Sequence, residues 1–176
     1  MNNYVALFRG INVGGNNILP MKDLKQIMAD LGYQDINTYI QSGNVTFRSI
    51  APMTTEAEIK LSKAIENKKG FTPKVIFKAA AAFANAINQN PFPTEDGKAL
   101  HFFFLSSTPS EENLEKLTAM RSEGEAFKLI ADVFYLYAPK GIGRSKLAAG
   151  AEKALGVPVT ARNWNTVEKL ETMLGV

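Results

Sequence analysis

The chain has 176 residues and a mass of 19.3 kDa, enough for one ordinary domain or two small ones sharing a core. Its 45% hydrophobic and 21% charged residues are globular values, and no apolar run approaches the roughly 18 to 20 residues that a bilayer span needs. Zero cysteines, the lone His101 and a net charge of +3 exclude a disulfide framework, a thiolate zinc site, a cysteine nucleophile and a multi-histidine metal centre, and indicate no histone-like or strongly acidic partner.

Met1 to Gly10 has no basic n-region and only Val5 to Phe8 as an apolar stretch, so no signal peptide is read and a cytoplasmic location is expected. Tyr4 to Arg9 predicts a strand, and Gly10 to Leu19 a glycine- and asparagine-rich loop. A helix follows: Pro20 suits its first turn, Leu24, Ile27, Met28 and Leu31 share one face, and Gly32 stands where a C-terminal cap belongs. Ile36 to Gln41 and Val45 to Arg48 read as strands joined through Ser42, Gly43 and Asn44. Thr55 and Glu58 have capping-box spacing for a helix that buries Ala57, Leu61, Ala64 and Ile65 and stops at Gly70. Lys74 to Phe77 is a fourth strand, completing the β-α-β-β-α-β order of the split-βαβ, ferredoxin-like pattern.

Ala79 to Asn88 reads as a short alanine-rich helix and Asn90 to Gly97 as a linker. The order then recurs. Leu100 to Leu105 is a strand; Ser110 caps a helix bearing Leu114, Leu117 and Met120; Phe127 to Ile130 and Val133 to Tyr137 form a hairpin about Ala131 and Asp132. A helix from Ser145 carries Leu147, Ala148, Ala151, Ala154 and Leu155 and ends at Gly156, Val157 to Thr160 is a last strand, and Asn165 with Glu168 caps a final helix burying Val167, Leu170 and Leu174. The fold class expected is α+β, two ferredoxin-like βαββαβ halves with mainly antiparallel sheets packed together. The first subdomain is residues 1–90 with its trailing helix and the second is 98–176, or the two form one compact unit. Both faces of the first and fifth strands are apolar, so the face away from each half's own helices needs a cover from the other half or from a second subunit.

Charge is unevenly distributed. Residues 1–90 hold ten basic and six acidic side chains, and Met1 to Lys22, Ile36 to Thr55 and Val133 to Ala151 contain no acid at all. Within or beside these stretches lie the segments with chemical character. In RGINVGGNN the candidate ligand contacts are Arg9, Asn12, Gly14, Gly15 and Asn16, on a strand-to-helix loop of the kind whose N–H groups approach phosphates. GxGxxG and Walker A are both absent, and the alternative is a turn permitted by Gly14 and Gly15 with Asn12, Asn16 and Asn17 satisfying local backbone.

In GIGRSK, Gly141 and Gly143 bend the backbone, Ser145 caps the next helix, and Arg144 and Lys146 bring two cations to a helix N-terminus. Cations there oppose the helix dipole, which a ligand site tolerates and a purely structural start has no reason to adopt; the alternative is an exposed hairpin exit with solvated charges. In YIQSGNVTF, Gln41, Ser42 and Asn44 are neutral donors and acceptors at a strand end, or else a hydrogen-bonded turn. The basic residue and aromatic spacing of an RNA-recognition strand are missing. In ARNWNT, Trp164 is placed to stack on a base or sugar and Arg162 to pair a phosphate beside Asn163 and Asn165, or Trp164 is a core residue and one asparagine is a cap. His101 in LHFFFL reads as a satisfied, half-buried strand residue, and Glu111, Glu112 and Glu115 as a solvated helix face.

On Arg9 to Gly15, Pro20-Met21, Tyr39 to Asn44, Asn90 to Pro93, Gly141 to Lys146 and Ala161 to Thr166, taken in order, the chain closely resembles the bacterial DUF1697 family, a domain of unknown function. The resemblance runs end to end. It implies α+β subdomains of the kind derived above and brings no established activity, so no catalytic residue carries over.

Three functional classes remain. One is a binding protein for an anionic, phosphate-bearing ligand, a small molecule such as a nucleotide or a nucleic acid, with Arg9, Arg144, Lys146 and Arg162 as cations. Another is a structural or protein-interaction module. The third is an enzyme on a phosphate ester or acyl compound, for which only Ser42, Ser145 and Lys146 are available as nucleophile or base. No cofactor, metal or membrane partner is expected, and oligomeric state is not legible. The four acid-poor segments are expected to converge on one surface.

Overall fold

The computed structural model describes residues 1–110 and 113–175. Strands β1 (Asn2–Arg9), β2 (Gln34–Tyr39), β3 (Asn44–Ser49) and β4 (Lys74–Ala79) alternate with helices α1 (Met21–Asp30) and α2 (Thr55–Lys69), and α3 (Ala80–Asn88) follows. The pattern returns as β5 (Leu100–Leu105), α4 (Leu114–Met120), β6 (Ala126–Ile130), β7 (Val133–Tyr137), α5 (Lys146–Leu155) and β8 (Val159–Asn163), closed by α6 (Trp164–Leu174). The sheet orders are β2-β3-β1-β4 and β6-β7-β5-β8, and every neighbouring pair is antiparallel. The two orders are one order shifted by four strands, so the chain is α+β with two ferredoxin-like βαββαβ halves. It divides into two compact units, Met1–Asn85 with Leu170–Val176, and Ala86–Lys169.

In the first unit Tyr4, Ala6 and Phe8 of β1 meet Val45 and Phe47 of β3 under Leu24, Ile27 and Met28 of α1 and Leu61 and Ile65 of α2. In the second, Phe103, Leu105, Phe134 and Leu136 form the sheet side of a core closed by Leu117 of α4 and Leu147, Ala151 and Leu155 of α5. Strand alternation sends Val5 and Leu7, and likewise Phe102 and Phe104, to the opposite faces, and these are buried too. Among the described residues no helix is long and apolar enough to cross a membrane.

Helix ends follow the glycine signals closely and the capping signals less so. Gly70 and Gly156 adopt left-handed conformations after α2 and α5 (φ +79° and +72°) and return their N–H groups to Glu66 and Glu152 carbonyls. Thr54 Oγ1, not Thr55, accepts from the Ala57 N–H (3.3 Å), and α4 is capped by Asn113 through the Lys116 N–H (3.2 Å), not by Ser110. Asn163 Oδ1 accepts from the Thr166 N–H (3.1 Å), so it caps α6, and Asn165 lies inside the helix. In each case several Ser, Thr or Asn residues adjoin the helix start, and backbone geometry selects the one whose oxygen faces the N–H. Glu111 and Glu112 lie outside the described residues, whereas Glu115 is exposed on α4.

One backbone feature opposes side-chain chemistry. Ile40, at the β2–β3 turn, has φ +50° although it is β-branched and 52% exposed. Asparagine tolerates that conformation and little buried apolar area is lost, so Ile40→Asn is expected to raise stability by about 0.5–1 kcal/mol, read as a higher urea midpoint. An unchanged or lower midpoint would show that the strain is absorbed elsewhere.

Candidate functional site

The motifs of the first unit gather at the C-terminal end of β1. There the register sets Leu7 beside Asn44 and Arg9 beside Lys74, so the loop leaving β1 starts next to the β2–β3 turn. Asn12, at φ +53°, ties the two together: its Oδ1 accepts from the Leu19 N–H (2.7 Å), and its Nδ2 donates to the carbonyls of Leu19 (2.9 Å) and Gln41 (2.8 Å). Asn17 Nδ2 donates to the Gly10 carbonyl (2.9 Å). Asn44, with no exposed surface, donates to the Tyr39 carbonyl (3.2 Å) and to Ser42 Oγ (2.9 Å). These amides hold one loop against another. Gly14, Gly15, Asn16 and the side chains of Arg9 and Gln41 remain on the exposed side.

In the second unit the motifs lie at the other end of the equivalent sheet, the N-terminal end of β5. Tyr137, the last residue of β7, pairs with Leu100, and Asn163, the last of β8, pairs with His101. The GIGRSK and NWNT segments therefore leave the sheet at the same end, about 10 Å apart across β5. Ser145 is buried and its Oγ accepts from the Ala148 N–H (3.0 Å), which starts α5 where expected. Arg144 and Lys146 are exposed on either side of it, with no ion-pair or hydrogen-bond partner among the described residues. Gly143 is exposed, and a Cβ built there would meet nothing.

Strand alternation sorts the remaining residues by face. Ala161 and Val159 pack into the α4–α5 core, so Arg162, between Ala161 and Asn163 and paired with Phe102, projects from the opposite face. It is only 9% exposed and donates to Thr160 Oγ1 (2.9 Å) and the Ala161 carbonyl (2.8 Å), and burial lowers its pKa to about 10. Trp164 lies with its ring 5.8 Å from that of Phe102, and Asn165 rests against the Gly97 backbone. Arg144 and Lys146 are thus grouped with α5, and Arg162 and the Phe102–Trp164 pair with the other face.

His101 departs from the expected satisfied, half-buried residue. Opposite Leu136 and Asn163 it points to the α4–α5 face, is only 8% exposed, and its Nδ1 is buried with no hydrogen-bond partner among the described residues. Burial depresses its pKa, against a weaker opposing influence of the Ala99 carbonyl, so the ring is neutral at pH 7. Its only sequence signal was a polar residue inside an apolar strand. Among the described residues no three His, Cys, Asp or Glu side chains gather as a metal site.

A solved structure of a conserved bacterial protein from Streptococcus pneumoniae is 24% identical over 98% of each chain with a TM-score of 0.69, which shows a shared fold. No curated protein matches the chain. The family described as protein of unknown function (DUF1697) matches residues 1–135, ending before the GIGRSK loop. With that match spanning well over half of its length, the chain belongs to the DUF1697 family.

Proposed function

We propose that the protein binds a phosphate-bearing ligand at the start of α5, through Gly143, Arg144, Ser145 and Lys146. The observation that carries this reading is the pair of cations flanking the Ser145 cap, which have no partner among the described residues, with no acid in the first turn of the helix. The chain treats another helix differently: α2 begins with Glu56 and Glu58 in its first turn and keeps Lys68 and Lys69 for its last, the arrangement that suits a helix dipole. Arg144 and Lys146 reverse that arrangement at the start of α5, whose last turn carries Lys153 as a dipole favours. An arriving oxyanion turns the unfavourable charges into partners and accepts from the N–H groups that a helix start leaves without intrahelical acceptors.

Calorimetric titration with inorganic phosphate, a nucleoside monophosphate and a single-stranded oligonucleotide, on the wild type and Arg144→Ala, tests the reading. The variant is expected to bind the anion about 10- to 150-fold more weakly, the equivalent of about 1.5–3 kcal/mol. Its stability should be unchanged or higher by a few tenths of a kcal/mol. Should the oligonucleotide be the ligand, two cationic contacts give a slope of about −1.4 in log K against log salt. A large fall in melting temperature with anion affinity untouched would make Arg144 a structural strut and end the proposal.

A further inference from the structure

Resting on that reading, we infer that the anion site has a buried floor, the imidazole of His101, and that its ligand is a terminal phosphate: inorganic phosphate or a phosphate monoester, not a diester within a nucleic-acid backbone. The topology aims His101 at the start of α5. This helix links β7 to β8, which flank β5 and run antiparallel to it, so α5 crosses above β5 and runs in the same direction. Near its other end Glu152 accepts from the Val159 N–H (3.0 Å), and Val159 pairs with Leu105, which fixes the helix along the strand. From Glu152 back to Ser145 a helix covers about 10 Å, and from Leu105 back to His101 a strand covers about 13 Å. The His101 ring therefore lies beneath the first turn of α5 and the glycine loop that leads into it.

At that position the ring's Nδ1 is buried with no hydrogen-bond partner among the described residues, and the Ala99 backbone acts on the ring more weakly than burial does. Buried nitrogens are almost always hydrogen-bonded, and one that is not calls for an explanation in an absent partner. Among the described residues no carboxylate supplies it: Leu136 and Asn163 face His101 on its rung, and the first turn of α5 has no acid. As a neutral ring, His101 can carry its proton on Nδ1 and donate it to an oxyanion without adding charge. Asn163 uses Oδ1 to cap α6, which leaves its Nδ2 as a further donor on the same rung. Gly143 itself is exposed, with no atom within 4 Å of where a Cβ would stand. A terminal phosphate projects three oxygens and can turn one down to a buried donor, whereas a diester, substituted on both sides, stays at the surface with Arg144 and Lys146.

His101 is the only histidine, so its ring nitrogens are a single-site NMR probe in the full-length protein. Two-bond 1H–15N spectra at neutral pH would be followed during titration with inorganic phosphate, a nucleoside 5′-monophosphate and a dinucleoside phosphodiester, with calorimetry on the wild type, Arg144→Ala and His101→Phe. Phosphate and the monoester are expected to shift the Nδ1 signal and the diester to leave it in place. His101→Phe, which removes the unpartnered nitrogen from an apolar strand, should keep or raise the melting temperature while weakening phosphate binding about ten-fold or more. Arg144-dependent phosphate binding with an unmoved Nδ1 signal, or tight binding by the diester alone, would overturn the buried floor and leave the α5 site standing. Absence of any anion binding would sink both, and the wild-type spectra decide the matter even if His101→Phe fails to fold.

Discussion

Alanine at Gly43 is expected to lower stability by about 2–5 kcal/mol. Gly43 is buried with φ +78°, and a Cβ there would stand 2.5 Å from Phe8 Cβ and 2.7 Å from Ile11 Cδ1. Neither neighbour has room to retreat, because both are 1% exposed and the Phe8 N–H is bonded to the Gly43 carbonyl at 2.9 Å. A left-handed conformation costs an L-residue about 1–2 kcal/mol, and overpacking a filled core adds about 1–3. Chemical denaturation measures the sum, and a loss below about 1 kcal/mol would mean that the β2–β3 turn moves freely away from β1.

Asn12→Ala should be nearly as damaging, at about 2–4 kcal/mol. It strands the N–H of Leu19, a residue with no exposed surface, and removes the donor shared by the Leu19 and Gln41 carbonyls. Alanine also fits φ +53° less well than asparagine. Asn12→Asp separates the contributions: it keeps the acceptor for Leu19 but turns a carboxylate toward two carbonyl oxygens, so it should be no better than alanine. Thermal melts combined with amide exchange test this, with loss of protection at Leu19 as the specific sign. A variant that melts within a few tenths of a kcal/mol of the wild type with Leu19 still protected would show the amide to be dispensable.

Both variants probe residues whose type was suggestive in the sequence and whose role was not. Gly43 sits in SGN, a turn by composition, and the turn is local. Its intolerance of a methyl group comes from Phe8 and Ile11, which approach it only once β1 pairs with β3. Asn12 stands in a loop that offers either ligand contacts or backbone satisfaction, and one of its acceptors is Gln41, 29 residues away.

What the amino-acid order determined alone was the succession of elements. Periods of two and 3.6 residues, Gly70 and Gly156 as helix stops, and Ser145 as the cap of α5 act through bonds within a few residues, so the doubled βαββαβ order was legible before any contact was known. The tertiary structure decided which of several adjacent polar residues became caps, which face of the second sheet received Arg162, and that His101 Nδ1 was buried without a partner among the described residues. A side chain's hydration and partners depend on strand register and on the helix laid over it, and those are set by apolar contacts between segments far apart in the chain. Local pattern therefore fixes where a strand runs, while only the packed sheet decides whether a polar atom on it faces solvent, a partner or an unfilled place.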